Sequence, residues 1–440
     1  MYAPSIIERN IASTEQALGL KLRRYSPAES LALSAHISDL LEPKDRQRKP
    51  VAQSSLTAEF QSFIQNEILM CRLDWSYWLR YVVILQDGGG AGPLVMRESQ
   101  RLRHERYMIP AEEQMWEEYT DSLKHSPDGI GITDGIRITE DKARQLYATT
   151  SARLYSLHRA IFYPDMRTLT ACADEDQLLP LYDRDDRLIN ALPPWMRPSR
   201  DPIIGSFDVK GEHIYFGTLR SSVTYYSAKK KGGVGQGDQF PVQHKTELAF
   251  WGKYGGGPGS ANPEYQIDFI LKPTLPQSIH TLDIEESTAN GRGTWWHVRC
   301  EEARKGHTSR RFIFMPWYVV TQKRRRNPPS LWQPDDLTLK HADKVLATSA
   351  EWTGRPVTLD RTQLYWWESE RKEMQKSEGL WAFYASYPAT PEESFQASGA
   401  SPFPPEMLER WELEATIPRM ALELVHKDQR SIPPTMGAAL

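Results

Sequence analysis

The sequence predicts an α/β fold: a mainly parallel sheet covered by helices. Short β-rich runs at residues 135–139, 168–173, 213–217, 222–226 and 279–284 are interleaved with helical stretches. This alternation is that of strands joined by crossover helices. Glycine-rich segments at 231–237 and 255–259 interrupt the pattern as loops. Charged residues make up 25% and hydrophobic residues 40%, an ordinary globular composition that argues against wholesale disorder. A chain of 440 residues exceeds the roughly 250 to 300 at which a single core stops growing, so two or three packed units are expected.

Ahead of the sheet, Ser26-Pro-Ala-Glu29 has the form of a capping box with proline at the first helical position, and a helix follows over 31–41. Residues 43–55 are polar and read as a linker, so residues 1–55 are assigned to a helical appendage. From Leu56, Phe60, Phe63, Ile64, Ile68, Cys71, Trp75 and Trp78 recur at helical spacing, an apolar and aromatic face whose simplest role is core packing.

The formal net charge of -3 provides no global attraction to nucleic acid, which leaves local runs such as Lys229-Lys-Lys231 and Lys323-Arg-Arg-Arg326 as either solvated loops or phosphate contacts. Cys71, Cys172 and Cys300 lie far apart without metal-ligand spacing, and a reducing cytoplasm fits them. No apolar run reaches the roughly 18 to 20 residues needed to span a bilayer, and a soluble protein is expected.

Three segments carry chemistry, each at the end of an expected strand. Lys142-Ala-Arg-Gln-Leu-Tyr-Ala-Thr-Thr150 departs from the ordinary phosphate loop, G-x-x-x-x-G-K-[ST]. With Thr149 at the terminal hydroxyl position, Ala148 stands where the lysine should be, Tyr147 at the second glycine and Lys142 at the first. A side chain at 147 would crowd the phosphates or force the loop out of the positive-φ conformation that glycine tolerates. Thr246-Glu-Leu-Ala-Phe-Trp251 places the Glu247 carboxylate where it could activate water, with Thr246 at the position of a metal-binding aspartate. Asp283 and Glu285 are the second-ranked acidic strand end. Glu286-Ser-Thr-Ala-Asn-Gly291 offers small hydroxyl and amide groups, with an Asn-Gly turn as its plainer reading.

In order and wording these segments resemble the large terminase subunit of tailed bacteriophages, over about residues 60–403. The resemblance implies a P-loop NTPase-like ATPase core at 56–320, followed by a linking subdomain and C-terminal helix at 321–440. It implies that Lys142 and Arg144 neutralise phosphate charge, with Gln145 and Thr150 in support, and that Thr149 offers its hydroxyl to Mg²⁺ ahead of a helix from 150 to about 160. Glu247 would be the general base, and Ser287, Thr288 and Asn290 would sense the γ-phosphate of ATP. Glu98-Ser-Gln100 resembles the adenine-reading glutamine motif, with Gln114 as a rival to Gln100. The loop at 231–237 with Lys229 and Lys231 is the expected DNA contact. Phe312-Ile-Phe-Met-Pro-Trp-Tyr318, Trp366-Trp367 and Tyr387-Pro-Ala-Thr-Pro391 resemble the linking subdomain.

The implied activity is ATP-driven movement of double-stranded DNA into a capsid, in a homo-oligomeric ring on the portal protein with a small terminase subunit, in the cytoplasm of an infected bacterium. The sequence closes soon after Phe403, so an ATPase module without a ribonuclease H-type nuclease site is expected. A catalytically degenerate structural or DNA-binding protein, suggested by Tyr147, Ala148 and Thr246, and a helicase-like ATPase are the competing readings.

Overall fold

The computed structural model describes residues 4–45, 47–85, 90–199, 213–228, 238–253, 265–320 and 324–396. The expected basic run at 229–231, the glycine-rich loops at 231–237 and 255–259, Lys323 and residues 397–440, with Phe403 and the expected C-terminal helix, lie outside the described residues.

The N-terminal segment forms helices α1 (Pro4–Leu18) and α2 (Pro27–Leu41). The capping box is present: Ser26 Oγ accepts the Glu29 N–H at 3.3 Å and Glu29 accepts the Ser26 N–H at 2.9 Å. Helix α2 is fastened to the body by bonds from Trp195 Nε1 to Ser34 Oγ (3.1 Å) and from Arg80 to Ser30 Oγ (2.9 Å). The aromatic stripe divides into α3 (Ala58–Leu73) and α4 (Trp75–Trp78). Asp74 separates them, because its carboxylate accepts the Tyr77 N–H at 3.1 Å and starts a new helix. Phe63, Met70, Trp75 and Trp78 are buried in the main core. A small antiparallel pair, β1 (Val83–Leu85) and β2 (Ala91–Pro93), precedes α5 (Glu98–Leu102) and α6 (Ile109–His125).

The central sheet contains β3 (Ile136–Lys142), β4 (Arg167–Cys172), β5 (His213–Phe216), β6 (Ser221–Ser227), β7 (Val242–Thr246), β8 (Leu282–Ser287) and β9 (Arg311–Met315). Their order is β5-β6-β4-β7-β8-β3-β9, and only β5 and β6 pair antiparallel. This is the mainly parallel sheet covered by helices that the sequence predicts. Phe312 to Met315, grouped by sequence with the closing aromatics, form the edge strand beside β3 instead. A four-residue apolar run carries no periodicity that would tell a strand from core filler.

Helix α7 (Ala148–Phe162) carries the chain from β3 to β4 on one side, and α9 (Trp295–Arg304) carries it from β8 to β9 on the other. Right-handed crossovers running in opposite directions must place their helices on opposite faces. Two separate apolar clusters agree: Leu154, Leu157 and Ile161 of α7 pack with Ile138 and Ile284, while Trp296 and Cys300 of α9 pack with Leu169 and Ala171. Helix α8 (Glu175–Ala191) follows β4. After β9 come α10 (Asp336–Thr353), α11 (Arg361–Ser377), α12 (Leu380–Ser386) and α13 (Pro391–Ser394). They are held around Trp317, His341 and Trp367, whose rings stack at 5.9 and 4.0 Å about the imidazole.

Candidate active site

The carboxyl ends of β3, β7 and β8 are adjacent, and the start of α7 lies over them, the usual place for a ligand in an open parallel sheet. Lys142 is the last residue of β3. Residues 143–147 turn into α7 with Gln145 at φ +57° and Tyr147 at φ +59°. Left-handed residues in such a turn direct successive backbone N–H groups into one concavity, an anion-binding nest that the helix N-terminus reinforces. Tyr147 therefore keeps the glycine-like conformation despite its Cβ, at a strain of about 1–2 kcal/mol. The Arg97 guanidinium lies 5.6 Å from its ring.

The loop is anchored from outside. Ala143 N–H bonds Met315 O and Arg144 N–H bonds Ser386 O, both at 2.9 Å, while the Arg324 guanidinium bonds the Arg144 and Trp317 carbonyls. Arg325 pairs with Asp360 at 2.5 Å. These two arginines of the basic run are thus engaged in fastening the closing helices. Ser99 Oγ adds a bond to Leu146 O at 2.8 Å.

Lys142 Nζ lies 3.0 Å from Glu247 Oε1 and 3.1 Å from Glu286 Oε2. Thr149 Oγ1 donates to Glu286 Oε1 at 2.8 Å, and His244 Nε2 meets the same oxygen at 3.2 Å. Burial works to lower the Lys142 pKa, but Glu247 and Glu286 outweigh it and hold the ammonium charged. Burial raises the Glu286 carboxyl, and Lys142 and His244 reverse that to a net downward shift. Glu247, at φ +55° just past β7, is the partly exposed member, and Thr288 Oγ1 reaches its Oε2 at 3.4 Å.

Lys142, Arg144, Gln145, Glu247 and Thr288 line one cleft of about 370 Å³, together with Gln177 and Phe250. Ser287 and Asn290 brace the wall of this site: Ser287 Oγ accepts the Ala249 N–H and Asn290 Nδ2 donates to Ala249 O, each at 3.1 Å. Thr150 lies half-buried in the first turn of α7. Gln100 is buried with its carbonyl oxygen capping its own helix, accepting the Arg97 N–H at 2.9 Å. Gln114 lies on α6, bonded to Glu118 and Arg311. Asp283 and Glu285 point to the α9 face, where Arg310 Nη1 holds Asp283 at 2.6 Å and Arg299 Nε holds Glu285 at 2.5 Å. Sequence reasoning did not single out Glu286 or His244. Their role depends on the pairing of Thr246 with Glu286 across β7 and β8, which no local pattern announces.

No family model matches the chain, and no curated protein matches it significantly. Solved structures are similar to it. The ATPase domain of the Thermus phage P74-26 large terminase aligns at 12% identity over 57% of this chain and 87% of that one, with a TM-score of 0.35. A mutant of that domain aligns at 13% identity over 47% and 83%, with a TM-score of 0.33. The HK97 bacteriophage large terminase aligns at 14% identity over 60% of this chain and 55% of that one, with a TM-score of 0.33. These three structures are of phage large terminases. Among the described residues no helix is long and apolar enough to cross a membrane.

Proposed function

We propose that this chain hydrolyses ATP and uses the energy to translocate double-stranded DNA, as the ATPase part of a phage packaging motor. The observation that carries the ATPase reading is the meeting of Lys142, Thr149 and Glu247 at a nest-forming strand-to-helix turn beside an open cleft. The packaging role rests on the wording of the three motifs, as do a ring on the portal protein and a small terminase subunit as partner.

The site suggests how its residues act. Without nucleotide, Lys142 is shared between two carboxylates. Entering phosphates offer it a greater negative charge, so the ammonium turns to them and releases Glu247, which can then take a proton from the attacking water. Arg144 adds charge at the cleft, and the backbone N–H groups from 145 to 149 orient the phosphates. The Thr149 hydroxyl would hold Mg²⁺, which when bound neutralises charge on the transferred phosphoryl group. Thr288 touches Glu247 and fits a role in reporting phosphate loss.

Phosphate release from ATP by the purified chain, with and without duplex DNA, tests this reading. Lys142→Ala and Glu247→Ala should each reduce turnover by about 10²–10⁴-fold. Absence of turnover in the parent chain under both conditions would favour the second reading, a catalytically degenerate module, to which Tyr147 and Thr246 point. Strand separation coupled to hydrolysis would favour a helicase.

A further inference from the structure

We infer that Glu286 supplies the acidic metal ligand of this site, from β8, in place of the aspartate that Thr246 replaces at the end of β7. The inference rests on the ATPase reading above. In nucleotide sites of this kind the loop hydroxyl and a strand carboxylate hold the metal together. Thr246 has no carboxylate to give. Its direct register partner on the adjacent strand is Glu286, and that side chain reaches the loop hydroxyl.

The donor geometry fits. Mg²⁺ binds oxygen at about 2.0–2.1 Å in an octahedron, so two neighbouring ligand oxygens lie about 2.9 Å apart. Thr149 Oγ1 and Glu286 Oε1 stand 2.8 Å apart. The other carboxylate oxygen is held by Lys142 at 3.1 Å, and His244 Nε2 lies 3.2 Å from Oε1, so the side chain is oriented from two sides. Local charge agrees: Lys142 is met by two carboxylates, which leaves this group one negative charge in excess. Among the described residues no cluster of three or more His, Cys, Asp and Glu side chains could hold a metal unaided. One carboxylate and one hydroxyl, completed by phosphate oxygens and water, is the composition Mg²⁺ accepts.

Mn²⁺ serves as the probe, its binding to the full chain followed by electron paramagnetic resonance in the presence of ADP. ADP affinity is measured separately with and without metal. Glu286→Gln and Thr149→Ala should each weaken Mn²⁺ binding by at least about tenfold, leaving metal-free ADP affinity within about twofold. Thr149→Ser should restore Mn²⁺ binding, and Glu247→Gln should leave it unchanged. Should Glu286→Gln fail to fold, the Thr149 pair reads the same site from the helix. Wild-type Mn²⁺ affinity in Glu286→Gln, or in Thr149→Ala, would overturn the assignment while leaving the ATPase reading intact. Loss in Glu247→Gln alone would move the ligand to Glu247. Absence of ADP and Mn²⁺ binding in the parent chain would overturn both.

Discussion

Strand β8 carries three buried carboxylates, and its two faces treat them differently. On the α9 face, Asp283 and Glu285 meet Lys245, Arg299 and Arg310, and Asp268 pairs with Arg299 at 3.3 Å, so charges of both signs balance. On the α7 face, Glu286 shares one lysine with Glu247, and its other partners are uncharged: the Thr149 and Thr246 hydroxyls and the His244 imidazole. The first set is closed. The second has negative charge to spare and opens onto a cleft. A balanced buried network contributes to holding elements in register, whereas an unbalanced one beside solvent is prepared for ligand. The lesson concerns which acidic residues to suspect in such a strand: those whose charge the fold leaves unanswered.

The largest expected effect comes from breaking the balanced side. Lys245→Met leaves excess carboxylate charge in a fully enclosed place and should cost about 3–5 kcal/mol of stability, read by denaturant unfolding. Lys142→Met also strands the enclosed Glu286, but it should cost less, since Glu247 can turn to water and Glu286 keeps its bonds to Thr149 and His244; it should also weaken nucleotide binding strongly. Equal destabilisation by the two would erase the distinction between the faces.

Asp141 sharpens the comparison from the neighbouring strand. Burial pushes its carboxyl up to about 7, against the opposing effects of Ser394 and Lys142. A folded-state pKa above the unfolded value near 3.9 means that the native protein holds a proton the unfolded chain has lost. This group's contribution to stability is therefore full below about pH 4 and disappears as pH rises towards 7. Thermal melts from pH 4 to 8 should show a falling component that Asp141→Asn removes, and an unchanged slope in the variant would contradict the assignment.

The smallest effect is expected at Tyr147. Replacement by glycine relieves left-handed strain but frees the unfolded chain, so stability should change by no more than about 1 kcal/mol. ADP affinity should rise, because the ring no longer stands at the phosphate loop. Unchanged affinity, measured by calorimetry, would show that the tyrosine does not obstruct the cleft.

Much of this molecule can be read locally. The capping box at Ser26, the strands near 136, 167, 221 and 282, and the loop from Lys142 to Thr149 are each announced by residues within a few positions of one another. Caps, alternation and turn chemistry are short-range effects, and their signals lie in contiguous sequence. The edge strand β9 was less legible, since its short apolar run is ambiguous between strand and core until its neighbour β3 is known.

By itself the sequence determined the fold class, the phosphate-loop segment and the identity of Lys142, Thr149 and Glu247 as a group worth suspecting. Only the tertiary structure decided which carboxylate joins them. Asp283, Glu285 and Glu286 are nearly consecutive and chemically alike, but alternation along β8 sends Glu286 to one face and the other two to the opposite one. What each then meets depends on parallel strands and helices that are distant in sequence. The reason is physical: a carboxylate's role is set by the charges and donors within a few ångströms, and those are brought by strand order and register, which long-range pairing alone establishes.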